Sequence, residues 1–573
     1  MAAGTSEDVP SLPYHEPGIV TILIQTSFLL LLNIINFALD RVLYCGLLGQ
    51  VLVGITWGTP AAKLLSSNVE EAVVQLGYLG LILLSISGLH TSFRSLKANL
   101  LLSLGVAVTG IALPVGLSYT LQGLLHATPV QAFAAGAALC STSLGTTFTV
   151  LGSSGLSATR LGVVLTSAAM MDDVVGLVMV QVISNLGGAN FSWITVLRPV
   201  LVSVAFALFV PVLCILILKP ATVRTNRFRE SHPNNSLDKI LRKAQTKFVL
   251  HTALLVGLVA SATYAGTSNL FAAYIAGAIV NWWDSDVPHL ALHQSSVTHE
   301  EGTEEPSNGT RASGNEANSA QPTPSNTGAN NSAETQLAQA SSGHEDTSGS
   351  AIYHRYYHPA VSKILQPLFF ASIGFSIPIT RMFGGAIVWR GIAYTTLMAI
   401  AKFGCGLWLV RIPISLETGK LNRLLGRLKM PPIPHFWSVS KNAIKTTKTS
   451  PDTARETPVS NPSTQEMLSS PNPPKPFSLH PPLILALAMC SRGEIGFLIS
   501  GVAEFNGIFA SPNDASADAS DIFLVVTWAI VLCTIIGPLG VGLSVRRVKN
   551  LQEQRNKEQA GSEKDVLGVW GIE

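Results

Sequence analysis

Long apolar stretches, each near the 20 residues a helix needs to cross hydrocarbon, alternate along this chain with short charged or Gly/Pro-rich breaks. About thirteen can be delimited, near 18–39, 42–58, 72–89, 98–121, 130–152, 160–186, 196–218, 247–265, 268–283, 358–378, 386–410, 480–504 and 520–545. The pattern predicts an all-α membrane protein. No lysine or arginine precedes Arg41, so the basic start of a cleaved signal peptide is missing and the first stretch is expected to stay as a membrane helix.

The breaks predict an orientation. With residues 1–17 outside, alternate breaks fall in the cytosol and hold Arg41, Arg94, Lys97, Arg160, the cluster from Lys219 to Lys247, the stretch from Arg411 to Lys475 and the tail from Arg546. Only Lys63, Arg198, Arg381 and Arg390 fall on the other side, in keeping with the positive-inside rule. Two long segments interrupt the membrane part. Residues 284–352 are Ser/Asn/Thr/Gly-rich and acidic, and 411–479 are rich in Pro, Ser and Lys; both lack the apolar residues a core needs and are expected to be disordered, apart from a short amphipathic helix near Leu421–Leu428. The glycosylation patterns at Asn308 and Asn330 then face the cytosol and go unused. The expected organisation is thus an N-terminal segment 1–17, membrane parts 18–283, 353–410 and 480–545, the two inserts, and a tail 546–573.

Composition narrows the function classes. Charged side chains make up 12% of the 573 residues against 47% hydrophobic, which excludes an ordinary soluble domain and leaves no basic footprint for nucleic acid. All six cysteines sit in apolar runs without metal-ligand spacing and read as small buried hydrophobes. Neither a nucleotide loop nor a nucleophile–base arrangement is present, so neither an enzyme nor a cofactor is expected.

The most informative residues are the charges inside the spans, because each costs about 2.5–3.5 kcal/mol in hydrocarbon even on insertion scales. They are Asp172 and Asp173 in the sixth stretch, Lys402 in the eleventh, and Arg492 with Glu494 in the twelfth. Adjacent helix residues are about 100° apart, so one carboxylate can face a cavity while the other faces a neighbouring helix. Proton and cation can then compete for the same oxygens. Upstream, Cys140, Ser141, Thr142, Ser143, Gly145, Thr146 and Thr147 form a hydroxyl-rich run that weakens a helix. Broken helices at mid-membrane expose backbone carbonyls to a bound ion, and hydroxyls can complete its oxygen shell. The candidate cation and proton ligands are therefore Asp172, Asp173, Thr142 and Ser143, with Lys402 as charge partner or proton carrier. Arg492, Gly493 and Glu494 mark a second broken helix, its two charges serving gating or a structural ion pair. Matching stretches in the two halves suggest inverted five-helix units at about 42–186 and 268–545, with the two broken helices crossing near mid-membrane.

These residues resemble the cation/proton exchanger membrane domain of the sodium/hydrogen exchangers and the Kef/Nap-type antiporters. The resemblance rests on Thr142, Ser143, Leu144 and Gly145 followed by Ala168 to Gly176 around the aspartates, on Leu48, Gly49, Gln50 and Gly54, on Pro367 to Gly374, on Lys402, and on Arg492, Gly493 and Glu494. It implies an ion-binding core moving against a dimerising panel, a homodimer in the bilayer, and exchange of a monovalent cation, sodium or potassium, for protons, with the paired aspartates typical of an electrogenic branch. The sequence departs from the family at His90, Thr91 and Ser92 and at Ser376 to Pro378, where relatives commonly carry acidic residues. A nucleotide-binding domain like that of Kef-type relatives is not expected after Arg546. Two other readings are a potassium efflux channel, for which no filter sequence is present, and a transporter-derived sensor with the inserts as its output. Plasma membrane and endomembrane both fit.

Overall fold

A computed structural model of the protein describes residues 16–86, 99–143, 145, 152, 155–187, 193–232, 240–241, 243–286, 348–410, 479–510, 519–558, 567 and 570. The two expected disordered inserts, the amphipathic helix near Leu421, and His90, Thr91 and Ser92 lie wholly or almost wholly outside these residues. In chain order the main helices are α1 (Ile19–Leu43), α2 (Gly46–Trp57), α3 (Ser67–Leu84), α4 (Leu100–Ser118), α5 (Pro129–Ala138), α6 (Arg160–Leu186), α7 (Trp193–Leu213), α8 (Lys219–Ser231), α9 (Ala244–Ala265), α10 (Asn269–Asp286), α11 (Gln366–Phe375), α12 (Gly385–Gly406), α13 (His480–Cys490), α14 (Glu494–Phe505) and α15 (Asp521–Glu558). Among the described residues there is no strand, and 8 helices are long and apolar enough to cross a membrane.

Helix ends follow local chemistry. Thr128 closes a capping box with Gln131, and Pro129 takes the first turn of α5, where its missing N–H is not needed. The Thr159 hydroxyl accepts from Gly162 N–H at the start of α6. Gly266, at φ 81, ends α9 in the left-handed conformation that glycine tolerates best. The seventh apolar stretch does not stop at Leu218 as its hydropathy suggests. It continues through the π-helical turn Cys214–Leu218 into α8, because Pro220 falls in the first turn of α8, where the helix can accept it.

The two expected breaks are present. Helix α5 ends at Ala138, and Leu139–Ser143 follow without regular helix; α13 ends at Cys490, and α14 starts at Glu494 after a non-helical Ser491–Gly493. All six cysteines are buried and free.

The chain divides into two compact units, one of Met1–Leu81, Ser92–Val200 and Ile364–Glu573, the other of Ile82–Thr91 and Leu201–Lys363. In the first, α12 packs on α4, α13 and α15, and α6 packs on α4 and α14. Helix α2 lies against α11 at backbone contact distance. A Cβ on Gly54 would stand 2.1 Å from the Ala371 carbonyl oxygen, and one on Gly374 2.4 Å from that of Val51. Small residues allow this approach, as they commonly do between membrane helices. Gly54→Val is expected to lower the melting temperature of the purified protein by about 5 °C or more, since the obstructing atoms are backbone and cannot rotate aside. An unchanged transition would mean that the two helices do not meet at Gly54.

In the second unit α9 packs on α10. Ser203 and Thr267 share a 2.5 Å hydroxyl hydrogen bond, as do Thr252 and Tyr357. The chain from Tyr353 to Leu365 runs through two π-helical turns before α11 begins.

Candidate functional site

The first broken segment supplies the framework of the site. Because α5 stops at Ala138, the carbonyls of Cys140 and Ser141 are not committed to a helix and are available to side chains from elsewhere. Both are used. Lys402 Nζ donates to Cys140 O at 2.7 Å, and Arg492 Nη1 donates to Ser141 O at 2.6 Å. The two breaks touch directly, Ser143 N–H donating to Ser491 O at 3.0 Å. Thr534 of α15 completes the contact by donating its hydroxyl to Arg492 O at 3.0 Å.

Asp172 and Asp173 lie in the middle of α6 and diverge as adjacent helix residues must. Asp172 has no exposed surface. Its Oδ2 accepts from Lys402 Nζ at 2.9 Å and from the Thr142 hydroxyl at 2.9 Å. Lys402, also wholly buried, spends its three N–H bonds on Asp172, on Cys140 O and on Thr142 Oγ1 at 3.1 Å. The ammonium is therefore fully satisfied, which an ion pair this far from water requires. Asp173 retains 9% of its surface and turns to the other side, where the Ser141 hydroxyl donates to its Oδ1 at 3.0 Å. Asp172 Oδ1 has no hydrogen-bond partner among the described residues.

Of the residues the sequence singles out, the structure brings together Asp172, Thr142 and Lys402 in one cluster, with Asp173 beside it. Ser143 sits where the two breaks meet, its backbone N–H joining them. Arg492 is fully buried, and its Nε and Nη2 have no hydrogen-bond partner among the described residues. Among the described residues no ion pair joins it to Glu494, the half-buried first residue of α14; the pairing considered from sequence gives way to a grip on backbone carbonyls.

Three participants were not singled out as ligands. Ser141 is the hydroxyl that meets Asp173, and its place in the hydroxyl run was the available signal. The Cys140 carbonyl is a backbone group and leaves no mark in a sequence. Gly110 of α4 is the third: a Cβ there would stand 3.2 Å from Lys402 Nζ and 3.3 Å from Asp172 Oδ2, so its lack of a side chain makes room for the ion pair.

Chemically, the cluster joins hard oxygen donors to a buried cation on one side, while Asp173 and Ser141 leave oxygens on the other. Carboxylate and hydroxyl oxygens suit a small monovalent cation, and a carboxylate can exchange that cation for a proton. Among the described residues no group of three or more His, Cys, Asp or Glu could hold a metal ion.

Comparison with known proteins finds antiporters among those similar to the chain. The chain is 30% identical over 144 residues to the probable Na(+)/H(+) antiporter GerT of Bacillus cereus, 25% of this chain and 38% of that protein. It is 32% identical over 133 residues to the Na(+)/H(+)-K(+) antiporter GerN of the same organism, covering 23% of this chain and 34% of the relative. With the high-affinity Na(+)/H(+) antiporter NhaS3 of Synechocystis it shares 30% identity over 140 residues, 24% of this chain and 30% of that one. The matched segments thus span about a third of the length of these relatives. The sodium proton antiporter MjNhaP1 from Methanocaldococcus jannaschii superposes with a TM-score of 0.49 at 13% identity, over 92% of this chain and 99% of that one. The sequence profile of the sodium/hydrogen exchanger transmembrane domain matches residues 27–299, which include both aspartates and end before Lys402 and Arg492. Over residues 27–299 this multi-pass integral membrane protein is thus similar to the transmembrane domain of the sodium/hydrogen exchangers.

Proposed function

We propose that the protein exchanges a monovalent cation, Na+ or K+, for protons by alternating access, with Asp173 as the cation and proton ligand and the Asp172–Lys402 pair as the charge partner. The observation that carries this reading is the placement of two carboxylates on different sides of α6, one satisfied by a fully buried lysine and the other beside a hydroxyl at a helix break. The Na(+)/H(+) and Na(+)/H(+)-K(+) antiport named for the relatives supports the same chemistry. In this reading the cation enters on the Asp173 side, screens the neighbouring Asp172, and weakens its hold on the Lys402 ammonium. Lysine and aspartate protons then leave as the cation binds, so two protons can move for one monovalent cation. Purified protein in proteoliposomes tests this: an imposed Na+ or K+ gradient should drive opposite proton movement. Cation flux without counter-moving protons would instead favour a channel.

The same proposal includes about thirteen spans, inverted units near 42–186 and 268–545, a homodimer, and the amino terminus outside. The distribution of basic residues supports that orientation, and the two breaks, one in each unit, support the inversion. A small epitope inserted near Asn330 should then be protected in intact cells and reached only after permeabilisation. Labelling from outside would reverse the orientation.

A further inference from the structure

The second unit holds a cavity of about 280 Å³ where α8, the start of α9 and the end of α10 meet. Its lining changes character along the helix axes. Along the chain it runs from Leu218 to Arg229 and from Lys247 to Leu250, with Thr225 and Trp283 also among the lining residues. The helix from Val196 to Ser231 has 36 residues, about 54 Å at 1.5 Å per residue, against a hydrocarbon core of about 30 Å. Part of it therefore projects beyond the hydrocarbon. The sequence shows where. Exposed Ile215, Leu216 and Ile217 give way at once to Lys219 and then Arg224, Arg227 and Arg229, on a helix with no buried residue and one acid, Glu230. On α9 the same change occurs in reverse, from Lys247 to exposed Val249 and Leu250. Both helices cross from apolar to basic at the level of the cavity, which sets it at the depth of lipid headgroups.

We propose that this cavity binds the phosphate of an anionic phospholipid headgroup from the leaflet facing the basic helix ends, which is the cytosolic leaflet in the orientation proposed above. Arg229 and Lys247 supply positive charge, and Thr225 can add a hydroxyl donor. Leu218, Leu250 and Trp283 offer an apolar wall to the glycerol and upper acyl chain, and tryptophan is at home at this depth. The two cations outnumber the single lining acid, Asp284, whose Oδ2 accepts the Gly349 N–H. The chemistry recognised is a phosphate ester beside apolar surface. A headgroup fits it better than free phosphate, because free phosphate gains nothing from the apolar wall.

The test uses the full-length protein in detergent, with bound lipid counted by native mass spectrometry and thermal stability followed in parallel. Phosphatidylglycerol is expected to bind at one site per chain and raise the melting temperature, while phosphatidylcholine and inorganic phosphate at equal phosphorus concentration do neither. Replacing both cavity cations, Arg229→Gln with Lys247→Gln, should weaken phosphatidylglycerol binding about 30-fold, whereas the exposed pair Arg224→Gln with Arg227→Gln should change it less than about threefold. Thr225→Phe fills the cavity without touching a charge, so it should weaken binding about tenfold even where the double variant folds poorly. Equal binding of phosphatidylcholine, equal protection by inorganic phosphate, or equal losses from the two charge pairs each overturns the assignment. So does lipid-independent cross-linking of two copies through Thr225→Cys, which would make the cavity an interface between protomers. Binding is read without transport, so failure here leaves the exchange reading untouched, and failure of exchange leaves this one untouched.

Discussion

Asp173→Asn is expected to abolish cation-driven proton movement, lowering it at least about 100-fold in proteoliposomes, while the protein stays folded. The substitution keeps the shape of the side chain and an oxygen to accept the Ser141 hydroxyl, so the local hydrogen bond at 3.0 Å can persist. What disappears is the charge and the exchangeable proton. Asp173 lends itself to this experiment because no ion pair among the described residues depends on it, in contrast to its neighbour Asp172. A variant with wild-type flux would remove Asp173 from the cation path, and a variant that fails to fold would show that its charge is structural.

The second large effect belongs to Lys402. Removing one partner of a buried pair leaves the other uncompensated, typically at about 3–5 kcal/mol. Lys402→Gln therefore strands Asp172, and Asp172→Asn strands Lys402; the double variant should be more stable than either single one, which a double-mutant cycle reads directly. Stability alone does not separate a proton carrier from a bridge holding α12 to α6. Voltage does. If Lys402 releases a proton in each cycle, Lys402→Gln should exchange cations without responding to membrane potential. If exchange in that variant remains voltage-driven with unchanged stoichiometry, the carrier role fails and only the bridge remains.

How far the site could be read from sequence depended on which atoms do the work. Ionisable residues inside apolar runs stand out because hydrocarbon tolerates so few, and Asp172, Asp173, Lys402 and Arg492 were all visible that way. The Asp172–Lys402 pairing could be inferred from the same cost, since a buried ammonium needs a carboxylate. The choice between Ser141 and Ser143 could not, because it depends on where the chain turns after Ala138, and a non-helical run has no fixed angular period to project. Gly110 went unnoticed among the many glycines of the spans; only the position of the lysine across from it shows that a methyl group there would crowd the ion pair. Arg492 was legible as a charge but not in its partners, which are carbonyls. Helix ends carry a local mark where a cap or proline stands, at Thr128 and Thr159, whereas at Leu218 the hydropathy boundary and the helix boundary differ.

Lys402 and Arg492 hold Cys140 and Ser141 by their main-chain oxygens, with a different consequence for tolerance to substitution at each of the two positions. Position 140 presents to Lys402 an atom that every amino acid possesses, and its own side chain is completely buried. Tolerance there should follow volume: Ala or Ser should preserve exchange and Phe should not, with little regard to polarity. At position 141 the main chain serves Arg492 and the side chain serves Asp173, so Thr should be accepted and Ala should not. A saturation library selected for growth under cation stress would sort the two positions along different axes, size for one and a hydroxyl for the other.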